Sequence, residues 1–275
     1  MRTAVCLLLL LANEVIAQTN RGPAFEVASI KPSAPDETMS ATAMPPGGRI
    51  EISNLTLKAL IEDAWHIQPY QISGGPSWLD SAHYDISAKA ASAQPGDVLK
   101  REDVLRMLQT LLEDRFHLVL RREVRQLPIY ELVRARKDGK LGQKLVESKA
   151  GGCVQFDPVN PFTVDTMKLC GNFALGPDGL TLVSAPISTL TPLLSRLLGR
   201  TVIDKTGLTK NYDIEIEWMP DESLAMQLPP DAPRPPPGGP SIFQVFRDQL
   251  GLELKGNKGP VEIFVIESAE KPAEN

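Results

Sequence analysis

The stretch that decides the fold is Tyr212-Asp213-Ile214-Glu215-Ile216-Glu217-Trp218, because large hydrophobic and acidic side chains alternate along it without a break. Successive side chains of a β-strand point to opposite faces of the sheet. The stretch therefore predicts a strand with Tyr212, Ile214, Ile216 and Trp218 on a buried face. Its acidic residues are expected on the opposite face, in water or paired with other charges.

The first three residues of this stretch recur earlier in the chain as Tyr84-Asp85-Ile86. Working outward from the two copies, the segment from Gly48 to Gly139 and the segment from Gly179 to Pro272 follow the same order of strand, helix, turn, strand, helix and closing strands. The sequence thus predicts an α+β fold of two related β-α-β-β-type repeats, with helices packed on mostly antiparallel sheets.

Four helices are predicted from hydrophobic residues spaced three and four apart. The first runs through Leu57 and Ala64 with Ser53 or Asn54 as its cap, because short polar side chains favour that position. The second is placed at 101–113, and its apolar stripe contains Val104, Leu105, Leu108, Leu111 and Leu112. The others are placed at 190–198 with Gly199 as terminator, and along a stripe of Ile242, Phe243, Phe246 and Leu250.

The predicted organisation has five consecutive parts. They are a signal peptide at 1–17, a strand and connector at 18–47, repeat 1 at 48–139, a cysteine-containing loop insertion at 140–178, and repeat 2 at 179–272. Within repeat 2, residues 219–240 form a proline-rich loop, because consecutive prolines favour extended polyproline geometry and resist packing.

The amino terminus predicts export. Met1-Arg2 is a short positive start, residues 4–12 are apolar, and Val15-Ile16-Ala17 offers small residues to a signal peptidase. The apolar run is much shorter than the roughly 20 residues of a membrane span. We expect cleavage near Ala17 and a periplasmic or secreted mature protein without a membrane span.

Cysteine usage is consistent with that compartment. Cys6 would leave with the signal peptide, so that Cys153 and Cys170 remain. An even pair in an exported chain favours a disulfide. A metal pair and a redox site are the alternatives, although the spacing is not that of a C-x-x-C motif.

The charge of the chain argues against nucleic acid as a partner. The formal net charge is −5, whereas a nucleic-acid-binding domain normally carries a basic face. One basic stretch runs from Arg115 to Lys137 and one acidic stretch from Asp213 to Glu222. These are either two solvated strand faces, or a basic face that meets the acidic face of the other repeat or of a partner.

Motifs for catalysis, cofactors or metals are almost absent. The sequence contains no H-E-x-x-H, G-x-S-x-G or Gly-rich phosphate loop. We therefore predict no cofactor and no metal site. The best candidate for a general base is His83 with Asp80 and Asp85 nearby in sequence, since a carboxylate can fix the tautomer of an imidazole; a structural or surface histidine is the alternative.

Several motifs together resemble a large family of exported "soil-associated" conserved proteins from soil bacteria, which is classed as a domain of unknown function. The motifs are Phe25–Pro32, Ile72–Pro76 with Trp78-Leu79, Leu112–Phe116, Val202–Leu208 with Tyr212-Asp213, and Gln249–Leu252. The resemblance implies no activity and no catalytic residues. Some relatives carry the domain beside a membrane metallopeptidase, which implies a sensor or ligand-binding role, but this chain lacks the peptidase motif.

A second, local likeness concerns 242–266, which is similar to the short N-terminal module of secretins and TonB-dependent receptors. That module contacts partner proteins in the periplasm, and a likeness at the level of fold does not establish function. The sequence thus predicts a non-catalytic binding or partner-interaction module, with an envelope protein or a small ligand as partner. The alternative is an exported hydrolase with an atypical site near His83, Asp80 and Asp85.

Overall fold

The structure is a computed structural model that describes residues 23–91, 99–155, 168–176, 178–220 and 239–273. The predicted signal peptide and residues 221–238 of the proline-rich segment lie outside these ranges. The chain divides into two compact units. Unit 1 takes in residues 1–65, 77–118 and 269–275, and unit 2 takes in residues 66–76 and 119–268.

The described residues form four α-helices and three four-stranded sheets, so that the predicted α+β class with mostly antiparallel sheets is confirmed. In chain order the elements are β1 (Phe25–Pro32), β2 (Ala41–Ala43), β3 (Arg49–Thr56), α1 (Leu57–Trp65), β4 (Ile72–Gly74), β5 (His83–Ala90), α2 (Arg101–Arg115), β6 (Val119–Arg134), β7 (Leu145–Glu147), β8 (Phe173–Leu175), β9 (Gly179–Pro186), α3 (Leu190–Leu198), β10 (Val202–Asp204), β11 (Asn211–Glu217), α4 (Ile242–Val245) and β12 (Leu252–Ser268).

Unit 1 contains one antiparallel sheet, in the order β1-β5-β3-β2, together with helices α1 and α2. Strand β5 buries Tyr84, Ile86, Ala88 and Ala90 on one face, which confirms the alternation predicted from Tyr84-Asp85-Ile86. The ring of Phe116, which is fully buried, packs edge-on against Tyr84 with 5.0 Å between ring centroids. This pair joins the end of α2 to the sheet.

Helix α1 buries Leu57, Leu60, Ile61 and Ala64, as its spacing predicted. Its predicted cap is wrong, because Ser53 and Asn54 belong to strand β3. The hydroxyl of Thr56 takes the capping role instead and accepts a hydrogen bond from the Ala59 amide at 3.2 Å. The chain therefore passes from strand to helix with no intervening loop.

Helix α2 begins where predicted and ends two residues later, at Arg115. Its buried stripe contains Met107 where Leu105 was expected. Both residues are hydrophobic, and the angular position of Met107 places it next to Val104, Leu108 and Leu111 on the stripe that faces inward.

Unit 2 contains a mixed sheet in the order β10-β6-β12-β4. Strands β6 and β12 form a long antiparallel ribbon that starts at the Arg134–Leu252 pair and ends at the Val119–Ser268 pair. The short strands pair in parallel, β10 with β6 and β4 with β12. The parallel pairs were not predicted from the sequence. Gln71, the residue before β4, lies in a short 3₁₀ turn.

The second sheet of unit 2 is antiparallel, in the order β7-β11-β9-β8. Strand β11 and the residue after it bury Tyr212, Ile214, Ile216 and Trp218, which confirms the prediction from the opening stretch. These side chains pack with others from β9, α3, α4 and β12 in one core. Strands β7 and β8 lie within 140–178, the segment expected from its composition to be a loop.

The last helical segment of unit 2 starts with α4, capped by the hydroxyl of Ser241, and continues as one π-helical turn over Phe246–Leu250. Phe243, predicted in the core, is 38% exposed, and Val245 is buried in its place. The wider π turn brings Val245 and Leu250 to the same face, whereas Phe243 follows Ile242 by one residue and so points about 100° away.

The predicted disulfide between Cys153 and Cys170 is present, with 5.0 Å between the two Cα atoms. Cys153 lies in the turn after β7, and Cys170 lies just before β8. Residues 156–167, between the two cysteines, lie outside the described ranges. Both cysteine sulfur atoms are therefore joined in this bridge.

Candidate functional site

A groove of about 900 Å³ lies in unit 1, at the end of β5 where His83 begins the strand. Its lining mixes polar side chains with prolines and alanines from the connector after β1. The polar residues are Ser33, Glu37, Thr38, Ser40, Asn54, Ser81, His83 and Lys271. The groove is thus the place in unit 1 where polar groups from distant parts of the sequence converge.

Asn54 is the most constrained residue of this groove. The residue is buried, with 8% exposure, and its backbone has a positive φ of 56°, which non-glycine residues seldom adopt. The Asn54 amide donates to Asp85 Oδ1 at 2.9 Å, and its carbonyl oxygen accepts from the Ser40 hydroxyl at 2.8 Å. Strain of this kind persists where surrounding contacts hold the residue, and such residues cluster at binding sites.

Asp85, one of the three candidate catalytic residues, is occupied by structural contacts. Its Oδ1 atom accepts from the Asn54 amide and from the Ser33 hydroxyl, the latter at 2.7 Å. The strand register shifts at this point between Ile52 and Leu55. The carboxylate therefore compensates for a ladder bond that the irregularity in β3 removes.

His83 and Asp80 also have other partners. The His83 ring is exposed, and its Nδ1 atom lies 3.2 Å from the Ser81 carbonyl oxygen. Asp80 forms an ion pair with Lys58 at 3.0 Å. Within the described part of the chain, no hydrogen bond or ion pair joins His83 to either aspartate. His83, Asp80 and Asp85 are thus close in sequence, but each contacts a different partner in the structure.

Burial raises the pKa of Tyr84 above its ordinary value, because the ionised phenolate would be poorly solvated. Tyr84 lines the groove while its ring packs in the core of unit 1. At neutral pH this side chain therefore supplies a neutral surface and, at its tip, a hydroxyl group.

A second candidate surface is the outer edge of β6 in unit 2. Strand β10 pairs with β6 only at 130–132, so that residues 119–127 have no partner strand on the side away from β12 among the described residues. We call this segment the β6 edge. Val124, at its middle, is 67% exposed. Unpaired backbone groups along such an edge can accept another strand.

Each arginine of the β6 edge is paired with a carboxylate of opposite charge. Glu123 lies between Arg121 and Arg125 on one face and forms ion pairs with both. Arg121 also contacts Glu267 at 2.8 Å, and Arg122 lies 3.9 Å from Glu262 on β12. The arginines that the sequence marked as a basic face are thus paired locally, which supports the interpretation as a solvated strand face.

These hydrogen bonds shift the ionisation of both partners. Arg121 and Arg125 donate to Glu123 and hold the pKa of that carboxyl below its usual value. The hydrogen bonds from Arg121 to Glu123 and Glu267 raise the pKa of the guanidinium. Both shifts favour the charged forms, so that the charge pattern persists throughout the neutral range.

Sequence analysis did not identify Asn54 or the β6 edge as functional. A lone asparagine after a serine is typical of a helix cap, and its positive φ depends on an aspartate 31 residues away. The edge could have been suspected from the hydrophobic Val124 among charged residues, but an open edge becomes visible only when the pairing of the other strands is known.

The described ranges contain no helix long and apolar enough to cross a membrane. Over the same residues, no group of three or more histidine, cysteine, aspartate or glutamate side chains is arranged to hold a metal ion.

Comparison with known proteins gives one match. A family model described as a protein of unknown function (DUF3738) matches residues 58–269, which is well over half of the chain. No curated protein and no solved structure matches the chain.

Proposed function

The chain belongs to the DUF3738 family of proteins of unknown function, and we propose a function for it. In this proposal the chain is an exported, non-catalytic module that binds a partner protein of the cell envelope. The proposal of export rests on the signal-peptide pattern of residues 1–17, and the Cys153–Cys170 disulfide is consistent with an oxidising compartment.

The β6 edge is the observation that carries the interaction role. An extended segment of a partner can add to such an edge as a further strand, with backbone hydrogen bonds supplying affinity. Natural sheets usually protect an open edge with unpaired charge. Here Arg121, Arg122 and Arg125 each have a carboxylate partner, and Val124 is exposed between them. The edge is therefore close to electrically neutral and partly hydrophobic.

The partner that fits this edge is an extended, largely uncharged segment with a hydrophobic residue opposite Val124. A β-branched or aromatic residue there would form a favourable cross-strand pair. The local likeness of 242–266 to the module of secretins and TonB-dependent receptors agrees with this role by analogy, and membership of a soil-associated group stays a prediction.

The alternatives from the sequence receive less support. A hydrolase requires a base within hydrogen-bonding reach of a nucleophile or water-activating group. His83 is hydrogen-bonded to a backbone carbonyl, and Asp80 and Asp85 bind other groups. A sensor role is compatible with the groove of unit 1 and would require that a ligand there alters partner binding.

We further propose that the two halves of the chain are repeats of one ancestral unit. The order β3, α1, β4, β5, α2, β6 in the first half matches the order β9, α3, β10, β11, α4, β12 in the second. Each half also contributes its short strand to the long strand of the other half, β4 to β12 and β10 to β6. This reciprocal pairing supports a duplication.

The repeated aspartate gives more specific support. Asp213 Oδ1 accepts the Ser184 amide at 2.7 Å, as Asp85 Oδ1 accepts the Asn54 amide. Ser184 has a φ of 46°, and the register between β9 and β11 shifts beside it. Each Tyr-Asp-Ile strand therefore stabilises a left-handed irregularity in its neighbour by the same contact.

The helix ends agree as well. Gly199 and Gly251 have positive φ after α3 and after the π turn, and His66 and His117 have positive φ after α1 and α2. A left-handed residue commonly terminates a helix, usually glycine. The positive φ of His66 and His117 indicates that these two histidines terminate the helices before them.

We expect Asp85→Ala and Asp213→Ala each to lower the free energy of unfolding by about 2 kcal/mol, because each removes a charged acceptor from a backbone amide in a strained turn. Chemical denaturation would measure both. Glu215→Ala, an exposed residue on the same face of β11 as Asp213, is the control and should change stability by less than about 0.5 kcal/mol. If only one aspartate differs from this control, the two do not have equivalent roles.

The interaction role is tested with Val124→Lys, which places an unpaired charge in the middle of the β6 edge. We expect the amount of envelope protein that co-purifies with the chain to fall by about tenfold or more, since lysine opposes strand addition. Val27→Lys is the matched control, because Val27 lies on edge strand β1 with a similar exposure of 64%. Equal losses in both variants, or no loss in Val124→Lys, would refute the proposal.

A further inference from the structure

The β6 edge ends at a small cavity in unit 2, at the point where β10 begins. Its lining is mainly hydrophobic and includes Tyr70, Leu127, Pro128, Val261, Arg200 and Thr201. The cavity has a volume of about 200 Å³, whereas pockets that hold small molecules usually measure about 300–1,000 Å³. A single side chain is therefore the occupant that this cavity fits.

The backbone groups of β6 that face away from β12 are identified by the pairing with β10. The Tyr130 amide donates to the Thr201 carbonyl oxygen at 2.9 Å. In an antiparallel ribbon, outward groups of this kind belong to every second residue. The register of β6 with β12 is unbroken from Tyr130 to Arg122. Gln126, Val124 and Arg122 therefore also present outward backbone groups.

Pro128 interrupts this row of backbone donors. It lies between Tyr130 and Gln126 in the same alternation, and proline has no amide proton. Beyond Pro128, Thr201 and then β10 occupy the place of a neighbouring strand. A segment that adds to the β6 edge must consequently turn out of the sheet or end beside the cavity, and a chain terminus needs no path out.

Arg200 gives this junction a positive charge. Its guanidinium carbon lies 5.6 Å from the centroid of the Tyr130 ring. Within the described ranges Arg200 has no carboxylate partner, in contrast to Arg121, Arg122 and Arg125 of the β6 edge. A guanidinium can bind a carboxylate through two parallel hydrogen bonds, and it repels an amino terminus. The charge therefore favours a carboxylate at the end of the added segment.

This preference decides the direction of the added strand. Strand β10 runs parallel to β6 and begins at Val202. A segment on the β6 edge, in line with β10, has its carboxyl end next to Arg200 if it is also parallel to β6. An antiparallel segment would have its amino end there. The parallel arrangement is thus the one that pairs opposite charges.

We propose that unit 2 binds the free carboxyl terminus of its partner protein, as a strand parallel to β6 that ends in a hydrophobic residue. The inference rests on the proposed strand addition at the β6 edge and adds the direction and the end of that strand. The last side chain lies in the cavity against Tyr70, Leu127 and Val261, and the terminal carboxylate binds Arg200.

Selection of peptides with free carboxyl termini tests the proposal. The probe is a library of random heptapeptides at the carboxyl end of a carrier protein, selected on the purified chain. We expect enrichment of peptides that end in a hydrophobic residue. Synthetic copies, measured by fluorescence anisotropy, should bind about tenfold or more weakly when the terminal carboxylate is converted to an amide.

Arg200→Gln should weaken binding of the same peptides by a similar factor, and Arg200→Lys, which keeps the positive charge, should weaken it less. Arg196→Gln is the matched control. Arg196 is an exposed arginine in the last turn of α3, just before Arg200, and it does not line the cavity. This control should bind the peptides as the unchanged protein does.

Failure of this inference is distinguishable from failure of the proposed strand addition. If Val124→Lys abolishes peptide binding while amidation and Arg200→Gln have no effect, strand addition stands and the inference about its end is wrong. A selection that yields no peptide with a hydrophobic last residue also overturns the inference, and co-purification with Val124→Lys still tests strand addition. Binding that depends on Arg200 but not on Val124 would refute strand addition and the inference with it.

Discussion

Phe116→Ala is expected to lower the free energy of unfolding of unit 1 by about 3–5 kcal/mol, the usual cost of removing a fully buried aromatic ring. Phe116 has no exposed surface and packs edge-on against Tyr84. Loss of this aromatic pair adds to the cost of the cavity. A loss of this size would consume much of the stability of an ordinary domain.

Thermal and chemical denaturation, followed by tryptophan fluorescence, would measure the effect. Trp78 lies 6.5 Å from the Tyr84 ring and so reports on the same region. Phe173→Ala makes the same chemical change at a ring that is 44% exposed on an edge strand, and we expect it to cost about 1 kcal/mol or less. Similar effects in the two variants would contradict the proposed core of unit 1.

Removal of the disulfide by Cys153→Ser with Cys170→Ser has the second large expected effect. The bridge spans 17 residues of sequence, and the entropy of closing a loop of that length corresponds to about 3 kcal/mol. We therefore expect the double variant to melt at a lower temperature than the oxidised protein.

Reduction of the unchanged protein provides the internal control. Dithiothreitol should lower its melting temperature to near that of the double variant, and it should leave the double variant unaffected. A melting temperature that does not respond to reductant would mean that the bridge does not stabilise the folded chain.

The parts of the fold that depend on local pattern could be predicted from the sequence. The alternation in β11 and the spacing in α1 each describe one face of one element, and the buried residues of both follow from the period alone. The disulfide followed from counting the cysteines that would remain if the predicted signal peptide were removed.

What could not be predicted depends on contacts between distant residues. Strands β4 and β10 have three residues each, too few for a periodic pattern, and their parallel partners lie far away in sequence. Asn54 looked like a helix cap because a cap and a left-handed turn favour the same residue types. Phe243 was placed in the core because the prediction assumed a 3.6-residue period up to Leu250. The π turn over Phe246–Leu250 does not follow that period.

The candidate site illustrates the same limit. Proximity in sequence suggested that Asp85 orients His83, whereas the carboxylate holds the Asn54 amide 31 residues away. Residues two apart on a strand share a face without having to touch. Asp85 thus has a structural contact in this turn, with the Asn54 amide and the Ser33 hydroxyl.

The central claim, that the chain binds a partner by strand addition at the β6 edge, is tested most directly by site-specific photo-crosslinking in the producing cells. A photoreactive residue would replace Val124 or, as the control, Val27, and the adducts would be compared by mass spectrometry. We predict one envelope protein that crosslinks at position 124 through an extended segment and does not crosslink at position 27. The absence of an adduct at position 124, or identical adducts at both positions, would contradict the account.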